Sequence, residues 1–388
     1  MSVGALVDPA ARRAPGERAR PAVTAPAVRT GSSAGRVRPA TAADLAAIVA
    51  LHRGVFGPRP DAAPGELEAL LAALFFGHPW RDAGLASLVY EEEGEIVGSL
   101  GVLPRPMRLG GRPILAALGH NFTLRADRRT SLAAIEMLRV FLAGPQELSY
   151  TFGNDTTRHL WRGVGVEPSL PLSLRFTTLL RPAAHVAGVA TRRSGSVARV
   201  LARRAGSAAD LWLTRLPRNP FRPRASELAS EPLDVATLAT LVERYARRRP
   251  LAPRYDAASL PWMLDRLARR PGALEVRCRL LRRGGALAGW YVATLERSGV
   301  AKVEQLGAVP KAADAVFDAL RADAWRAGAT ALTGMVEPSM LGAIGRPRSL
   351  VHRGAGTPWL MAHGNPEAVA ALQSGQAFVS GLEGEWWA

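Results

Sequence analysis

An arginine-rich turn leads directly into an apolar-periodic helix in the stretch TLRADRRTSLAAIEML, residues 123–138. The free backbone N–H groups and the dipole at a helix start attract anions, and Arg128 and Arg129 add positive charge. Thr130 and Ser131 offer hydroxyl donors, but the glycines that usually let a backbone approach a phosphate are absent. The stretch therefore predicts an anion site, with an ordinary solvated basic turn as the alternative.

The net charge of +17 is unevenly distributed along the 388 residues. Residues 1–36 carry +4 and residues 181–226 carry +9, so the rest of the chain is close to balanced. Arginine outnumbers lysine 48 to 2, and few aromatic residues accompany these arginines, which argues against a nucleic-acid interface, so we expect no DNA partner. No apolar run could span a bilayer and no signal peptide is evident, so we expect a cytoplasmic protein.

The chain divides into a tail, a first half, a linker and a second half. Residues 1–35 are rich in Ala, Pro, Arg and Gly without periodicity, which predicts a disordered basic tail. Period-2 and helical patterns then predict the elements of the first half. These are a strand at 36–38, helices starting near Asp44 and at 65–76, strands at 87–90, 96–103 and 114–124, a helix at 130–142, a strand at 147–152, a short helix at NDTTRHLWRG and a strand at 170–180.

The second half repeats this order of elements. Two helices within 233–270 precede strands at 274–281, 287–295 and 301–309, a helix at 312–327 and a strand at 331–336. The segments EGEIVGS and GGALAGW align Gly98 with Gly289, an offset of 191 residues. Residues 181–230 form a basic, partly helical linker. We expect a helical bridge there, with a weak peripheral membrane contact through 186–216 as the alternative.

This order of elements, together with the opening VRPATAADLAAIVALHRGVFG and the segment LRADRRTSLAAI, resembles the GCN5-related N-acetyltransferase (GNAT) superfamily. The resemblance covers about residues 36–180 clearly and about 231–380 more faintly, as a second copy. It implies a mixed α/β protein with two GNAT-like domains, each a central, mostly antiparallel sheet flanked by helices. The implied ranges are 36–180 for an N-acetyltransferase domain and 231–388 for a degenerate GNAT-like domain.

The resemblance assigns the arginine-rich turn to the pyrophosphate of acetyl-CoA or another acyl-CoA. Arg129, Leu132 and Ala134 lie where the family has R-x-x-G-x-G/A. Leu132 departs from that pattern, and we expect its branched side chain to crowd a pyrophosphate that glycine would let approach. The implied cofactor-binding residues are Leu124, Arg128, Arg129, Thr130, Ser131, Leu132, Ala133, Ala134 and Asn154.

Three further positions bear on catalysis. Asn154 matches a family asparagine that reaches the pantetheine arm, and Trp161 replaces a tyrosine that often protonates the departing thiolate, although an indole is no practical acid. His120, four residues before Leu124, is the predicted general base for the acceptor amine, with a hydrogen-bonded core histidine as the alternative. The only cysteine, Cys278, excludes a Cys-cluster metal site, and we expect no metal cofactor.

The resemblance implies an N-acyltransferase that moves an acetyl or related acyl group from acyl-CoA to an amine of a small molecule or cell-envelope precursor. The second copy has neither the arginine nor the glycines in LGAVPKAADAVFDAL, and Asp314 would repel a pyrophosphate, so we expect that copy to have lost the cofactor. Two alternatives stay open: a non-catalytic GNAT-like module that binds acyl-CoA or a partner, and a Fem-type aminoacyl-tRNA-dependent ligase. The sequence leaves the acceptor, the acyl length and the oligomeric state open.

Overall fold

The structure of the protein is a computed structural model. It describes residues 35–57, 64–82, 84–128, 132–191, 202, 205–206, 208–210, 221, 223, 226–345, 349–354 and 356–384. The predicted tail, apart from Gly35, lies outside the described residues. Most of the predicted linker lies outside them as well. Below, the first half means residues 35–180 and the second half means residues 226–384.

The first sheet is built mainly from the first half. Its strands are β1 (Arg36–Pro39), β2 (Leu88–Glu92), β3 (Glu95–Leu109), β4 (Arg112–Leu124), β5 (Leu148–Gly153) and β6 (Pro168–Ser169), with β9 (Leu251–Pro253) and β15 (Trp359–Gly364) from the second half. The order is β1-β2-β3-β4-β5-β15-β6, and β9 pairs with the end of β3. The β4–β5 pair is parallel, and the other pairs described in this sheet are antiparallel.

The second sheet follows the same plan. Its strands are β7 (Arg175–Leu179), β8 (Ala229–Pro232), β10 (Ala273–Arg283), β11 (Ala286–Glu296), β12 (Val300–Ala308), β13 (Ala331–Met335) and β14 (Ser349–His352). Their order is β14-β7-β13-β12-β11-β10-β8, with β12 and β13 parallel. In both sheets the strand next to the parallel pair comes from the other half: β15 lies beside β5, and β7 lies beside β13. The second half therefore contributes β9 and β15 to the first sheet, and the first half contributes β7 to the second sheet.

Helices cover both faces of each sheet. They are α1 (Leu45–Phe56), α2 (Glu66–Phe75), α3 (Ala133–Leu142), α4 (Asp155–Gly163), α5 (Pro182–Ala190), α6 (Val235–Ala246), α7 (Ser259–Ala268), α8 (Ala313–Arg326), α9 (Leu341–Ile344) and α10 (Pro366–Gln373). One core includes residues of both sheets and of α1, α2, α6 and α7. A second core holds α3 and α4 against the first sheet, and a third holds α8 and α9 against the second sheet.

The glycines that aligned in the sequence occupy equivalent places in the two sheets. Gly98 on β3 pairs with Leu124 at the end of β4, and Gly289 on β11 pairs with Ala308 at the end of β12. A Cβ on Gly98 would lie 3.0 Å from Met137 of α3, and a Cβ on Gly289 would lie 2.7 Å from Val316 of α8. Each glycine thus lets the helix after the central strand approach the sheet closely.

The mixed α/β fold predicted from the sequence is confirmed, and one predicted element is wrong. Residues 170–180 do not form one strand: β6 ends at Ser169, a 3₁₀ helix occupies Pro171–Ser173, and β7 then enters the second sheet. Proline at 171 has no N–H to give to a strand ladder, and the Ser173 hydroxyl closes the turn by donating to the Ser169 carbonyl at 2.5 Å. Leu170, the first residue of the predicted strand, is 57% exposed.

Two predictions concern contact with a membrane, and the described residues bear on each of them only in part. Among the described residues, no helix combines the length and the apolar character that a membrane crossing needs. In the segment considered for peripheral membrane contact, α5 exposes Val186 and Val189. Most of the remainder of residues 186–216 lies outside the described residues, so that contact stays a prediction.

Candidate functional site

Strands β4 and β5 run parallel but separate before they end. Their pairing stops at Gly119 opposite Thr151, although β4 continues for five residues and β5 for two. At this last pair the Thr151 hydroxyl donates to the Gly119 carbonyl at 2.7 Å. On their other sides β4 stays paired with β3 and β5 with β15. The unpaired edges, residues 120–124 and 152–154, form what we call the first-half opening.

A β-bulge at Asn121 turns the end of β4. Asn121 has a φ of 45°, a left-handed conformation that asparagine adopts more readily than most residues. Two residues of β4 oppose one residue of β3 at this point, which reverses the alternation of side chains. His120 therefore lies on the side of the sheet that α2 covers, whereas Phe122 and Leu124 lie on the side of α3.

Helices α3 and α4 begin at the edge of the sheet where β4 and β5 end, because parallel strands end at the same edge. Asn154 caps α4, since its side-chain carbonyl accepts from the Thr157 N–H at 3.0 Å. That bond leaves the amide N–H groups of Asn154 for other acceptors. Before α3, the Leu132 side chain is 69% exposed, while Ala133 and Ala134 are buried. Three predicted site residues, Arg129, Thr130 and Ser131, lie outside the described residues.

Arg128, predicted to bind the anion, is held by a carboxylate of the β2–β3 hairpin. Its Nε donates to Glu92 at 2.6 Å, and a second nitrogen lies 3.8 Å from Asp127. The Glu92 hydrogen bond raises the pKa of Arg128. Arg125 is likewise paired with Asp127, at 2.9 Å. These acids offset much of the charge that the sequence placed at this turn.

His120 is buried on the α2 side of the first sheet. Its ring meets Phe75 edge-on at 5.5 Å between centroids, and its Nδ1 lies 3.2 Å from the Asn121 amide nitrogen. The opposing strand has glycine here, since a Cβ on Gly101 would lie 2.0 Å from the imidazole. Burial, and secondarily His78, lowers the pKa of His120 to about 3. The imidazole is therefore neutral at physiological pH and a weak base.

Trp161, at the position of the family's tyrosine, is a core residue. Its side chain is buried between α3 and α4, and its ring meets Phe141 edge-on at 6.3 Å. The indole thus contributes packing on the α3 side of the sheet, and an indole could not protonate a departing thiolate.

The second half has a matching separation of strands, but it is filled. Strands β12 and β13 pair only as far as Val303 opposite Gly334, which leaves a second-half opening between residues 304–308 and 335–337. Residues 378–381 occupy it so closely that a Cβ on Gly381 would lie 2.9 Å from the Glu304 carbonyl oxygen. About 10 Å³ of space remains there, barely enough for one water molecule.

A buried polar cluster fixes this filling segment between the halves. The Glu383 carboxylate accepts from the Tyr255 hydroxyl at 2.5 Å and from the Ser380 hydroxyl at 2.6 Å. It also pairs with Arg105 at 3.5 Å, and its main-chain carbonyl accepts from the Tyr150 hydroxyl at 3.0 Å. Burial, followed by Glu383, raises the pKa of Tyr255 well above its usual value. Both tyrosines are therefore protonated hydrogen-bond donors.

The sequence analysis missed this cluster, although one signal was available. Arg105 falls in phase with Leu103 and Met107 on the buried face of β3. A charged residue at a core position requires an internal partner of opposite charge. Its partner Glu383 is far away in the chain, so the strand pattern could have predicted the need for an acid but not which acid meets it.

Comparisons with known proteins identify solved structures with a similar fold. No protein-family model matches the sequence, and no curated protein matches it. A GCN5-related N-acetyltransferase from Anabaena variabilis superposes with a TM-score of 0.57 at 13% identity, over 85% of this chain and 72% of that chain. A conserved protein of unknown function from Enterococcus faecalis, a probable N-acyltransferase, gives 0.55 at 12% identity, over 87% and 74%. A GCN5-related N-acetyltransferase from Kribbella flavida gives 0.53 at 15%, over 87% and 73%. The GNAT-like fold expected from the sequence is confirmed.

Proposed function

We propose that the protein is an acyl-CoA-dependent N-acyltransferase that moves an acetyl or related acyl group to an amine, with the acyl donor bound in the first-half opening. The observation that carries this proposal is the opening itself, where two parallel strands separate at the edge from which α3 and α4 begin. The second-half opening is filled by residues 378–381 and offers no such channel.

The described residues suit an acyl-CoA in three ways. The pantetheine amides can pair with the unpaired edge of residues 120–124 as an added strand would. The amide N–H groups of Asn154 are available beside that edge. The start of α3 presents the positive end of a helix dipole, which suits a pyrophosphate, and Leu132 next to it extends into solvent.

The proton of the acceptor amine sets the pH dependence of this reaction. The unprotonated amine attacks the thioester carbonyl of the bound donor, the C–S bond breaks, and CoA leaves as a thiolate that takes up a proton from water. His120, the proposed proton acceptor, has a pKa of about 3 and so remains neutral throughout the physiological range. We therefore expect kcat/KM to rise with pH as the amine itself loses its proton, without an inflection near 6.5 from this histidine.

A second candidate function is acyl-CoA binding without turnover. Two observations favour it: Trp161 lies in the core where the family has a proton donor, and Arg128 is paired with Glu92. Binding of acetyl-CoA measured by calorimetry, followed by release of free thiol in the presence of simple primary amines, separates the two. Heat of binding with thiol release supports the transferase, and heat of binding alone supports the non-catalytic protein. The absence of both would refute a donor site in the opening.

Two asparagines that cap helices make a matched test of the donor site. Asn154 caps α4 beside the opening, and Asn365 caps α10 in the second half by accepting from the Glu367 N–H at 3.0 Å. Replacing either by alanine should cost about 1 kcal/mol of stability. Only Asn154→Ala should weaken acetyl-CoA binding, by about tenfold, because it also loses a polar contact to the pantetheine. Equal affinities of the two variants would contradict this location.

A further inference from the structure

The second half contains a cavity of about 750 Å³. It lies at the outer end of the second-half opening, between α6 and the turn that connects β12 to α8. Its volume is within the range typical of sites for small organic ligands. Toward the inside it ends at Tyr245, whose ring meets Phe378 of the filling segment at 5.0 Å between centroids.

The cavity is strongly cationic. Arg244 lies in the last turn of α6, Arg248 and Arg249 lie in the turn that follows it, and Lys311 lies in the turn before α8, while the described lining residues include no carboxylate. Arg249 is paired with Glu337 at 2.6 Å. Within the described part of the chain, the ion pairs involve none of the other three cations.

Asp314, which the sequence placed against an anion here, does not line the cavity. It is an exposed residue of the first turn of α8, next to Ala313, which does contribute to the wall. Asp314 therefore contributes no carboxylate to the lining of this space. The four cationic side chains determine the sign of its potential.

The remaining lining residues suit a ligand whose organic part is compact and has a flat apolar face. Tyr245 and Trp290 meet edge-on at 5.2 Å between centroids, and the Tyr245 hydroxyl lies 2.8 Å from the Ser339 hydroxyl. The deeper part of the strand opening is filled by residues 378–381, so a ligand with a long flexible arm has no room there. The accessible part resembles the phosphate end of a donor site that has lost its channel.

We infer that this cavity binds a compact organic phosphate, of the size and charge of a nucleoside diphosphate. Guanidinium forks match the oxygens of a phosphate group in geometry and charge, and three cations without carboxylate partners suit a ligand with more than one negative charge. The site is separate from the first-half opening. The inference does not depend on acyl transfer.

The test measures the binding of ADP to the full chain by calorimetry at fixed salt. Arg244→Ala/Arg248→Ala should weaken ADP binding at least about tenfold, because charge-assisted contacts are lost. Arg247→Ala is the matched control: Arg247 directly follows the last residue of α6, is paired with Glu243 at 3.6 Å, and does not line the cavity. We expect it to bind ADP within about twofold of the parent, since exposed ion pairs contribute little.

Three outcomes would overturn the inference. The first is no ADP binding at millimolar concentration, or equal loss in the double variant and the control. The second is inorganic phosphate that binds as tightly as ADP, which would show that the organic body is not recognised. The third is displacement of ADP by acetyl-CoA with one-to-one competition, which would mean a single shared site. Failure of acyl transfer, in contrast, would leave ADP binding and its sensitivity to the double variant unchanged.

Discussion

The two strand openings share one topology and differ in what lies between the strands. In the first half, Asn121 and Phe152 are partly exposed and Asn154 is exposed at the separated ends. In the second half, the separated edges at residues 304–308 and 335–337 are buried throughout. The difference comes from residues 378–381, which lie between β12 and β13. A strand separation thus makes a ligand channel only where no segment of the chain fills it.

The strand exchange explains how the segment that fills the second-half opening comes to contact both sheets. The chain passes through the first sheet as β15, returns along α10 and only then reaches the second-half opening. The segment that fills this opening is therefore anchored in both sheets. Glu383 completes the anchoring by binding Tyr255 of the second half and Arg105 and Tyr150 of the first.

The largest effect should come from breaking that anchor. Glu383→Ala leaves Arg105 buried without its carboxylate, which we expect to lower the free energy of unfolding by about 3–5 kcal/mol. Glu147→Ala is the control, because Glu147 pairs with Arg112 at 2.6 Å where both are exposed, and should cost less than about 1 kcal/mol. Urea denaturation measures both.

Hydrogen exchange of the backbone amides in the same variants shows which region is destabilised. If the anchor closes the second-half opening, Glu383→Ala should raise exchange at residues 304–308 more than at 120–124. Equal exchange at both openings would mean that residues 378–381 do not depend on Glu383.

A second prediction compares how tightly the two halves are packed. A Cβ on Gly289 would lie 2.4 Å from the Gly307 carbonyl oxygen, a backbone atom with little freedom to move. A Cβ on Gly98 would lie 2.7 Å from the Leu124 side chain, which can adjust. We expect Gly289→Ala to cost about 3 kcal/mol and Gly98→Ala about 1 kcal/mol. Thermal unfolding of the two variants ranks them, and the opposite ranking would show that the first half is the tighter one.

The sequence predicted much of this fold because its signals are local. The capping box of Thr41 and Asp44 and the helical period of α1 both act within a few residues. The exchanged strands could not be predicted in this way. Nothing local in β7 or β15 distinguishes pairing within their own half from pairing with the other half, and the choice is made by tertiary contacts.

Prediction of the site from the sequence was limited in the same way. The sequence correctly placed the arginine-rich turn between a strand and a helix, but the partner of Arg128 is Glu92, on a hairpin whose position depends on the folded sheet. The burial of His120 follows from the bulge at Asn121 and from α2, so its pKa could not be read from its neighbours in the chain.

A third prediction concerns acid sensitivity, which should begin in the first half. Burial lowers the pKa of His120 to about 3 and that of His78 to about 4, whereas an unfolded histidine titrates near 6.5. The unfolded state therefore binds more protons between these values, so stability is complete above pH 6.5 and is lost as the pH falls. The loss should reach about 1.4 kcal/mol per pH unit for each histidine.

His120→Gln tests this prediction directly. The variant should remove one of the two contributions, so its free energy of unfolding should fall less steeply between pH 6 and pH 4.5 than that of the parent. Urea denaturation at several pH values gives both slopes. Parallel slopes would mean that His120 is protonated as readily in the folded chain as in the unfolded one.

The smallest effects are expected at Leu132, and they address the arginine-rich turn itself. Leu132 precedes α3 with helical backbone angles, so serine or aspartate there would not cap the helix, and Leu132→Ser and Leu132→Asp should each change the stability of α3 by less than about 1 kcal/mol. The two variants are both small and polar and differ chiefly in charge. If a pyrophosphate binds at the start of α3, Leu132→Asp should weaken acetyl-CoA binding several-fold at low salt and less at high salt, whereas Leu132→Ser should not. Because the parent side chain already extends into solvent, Leu132→Gly should change the affinity less than about twofold, contrary to the crowding expected from the sequence. Equal affinities of the serine and aspartate variants at low salt would mean that the turn holds no anion.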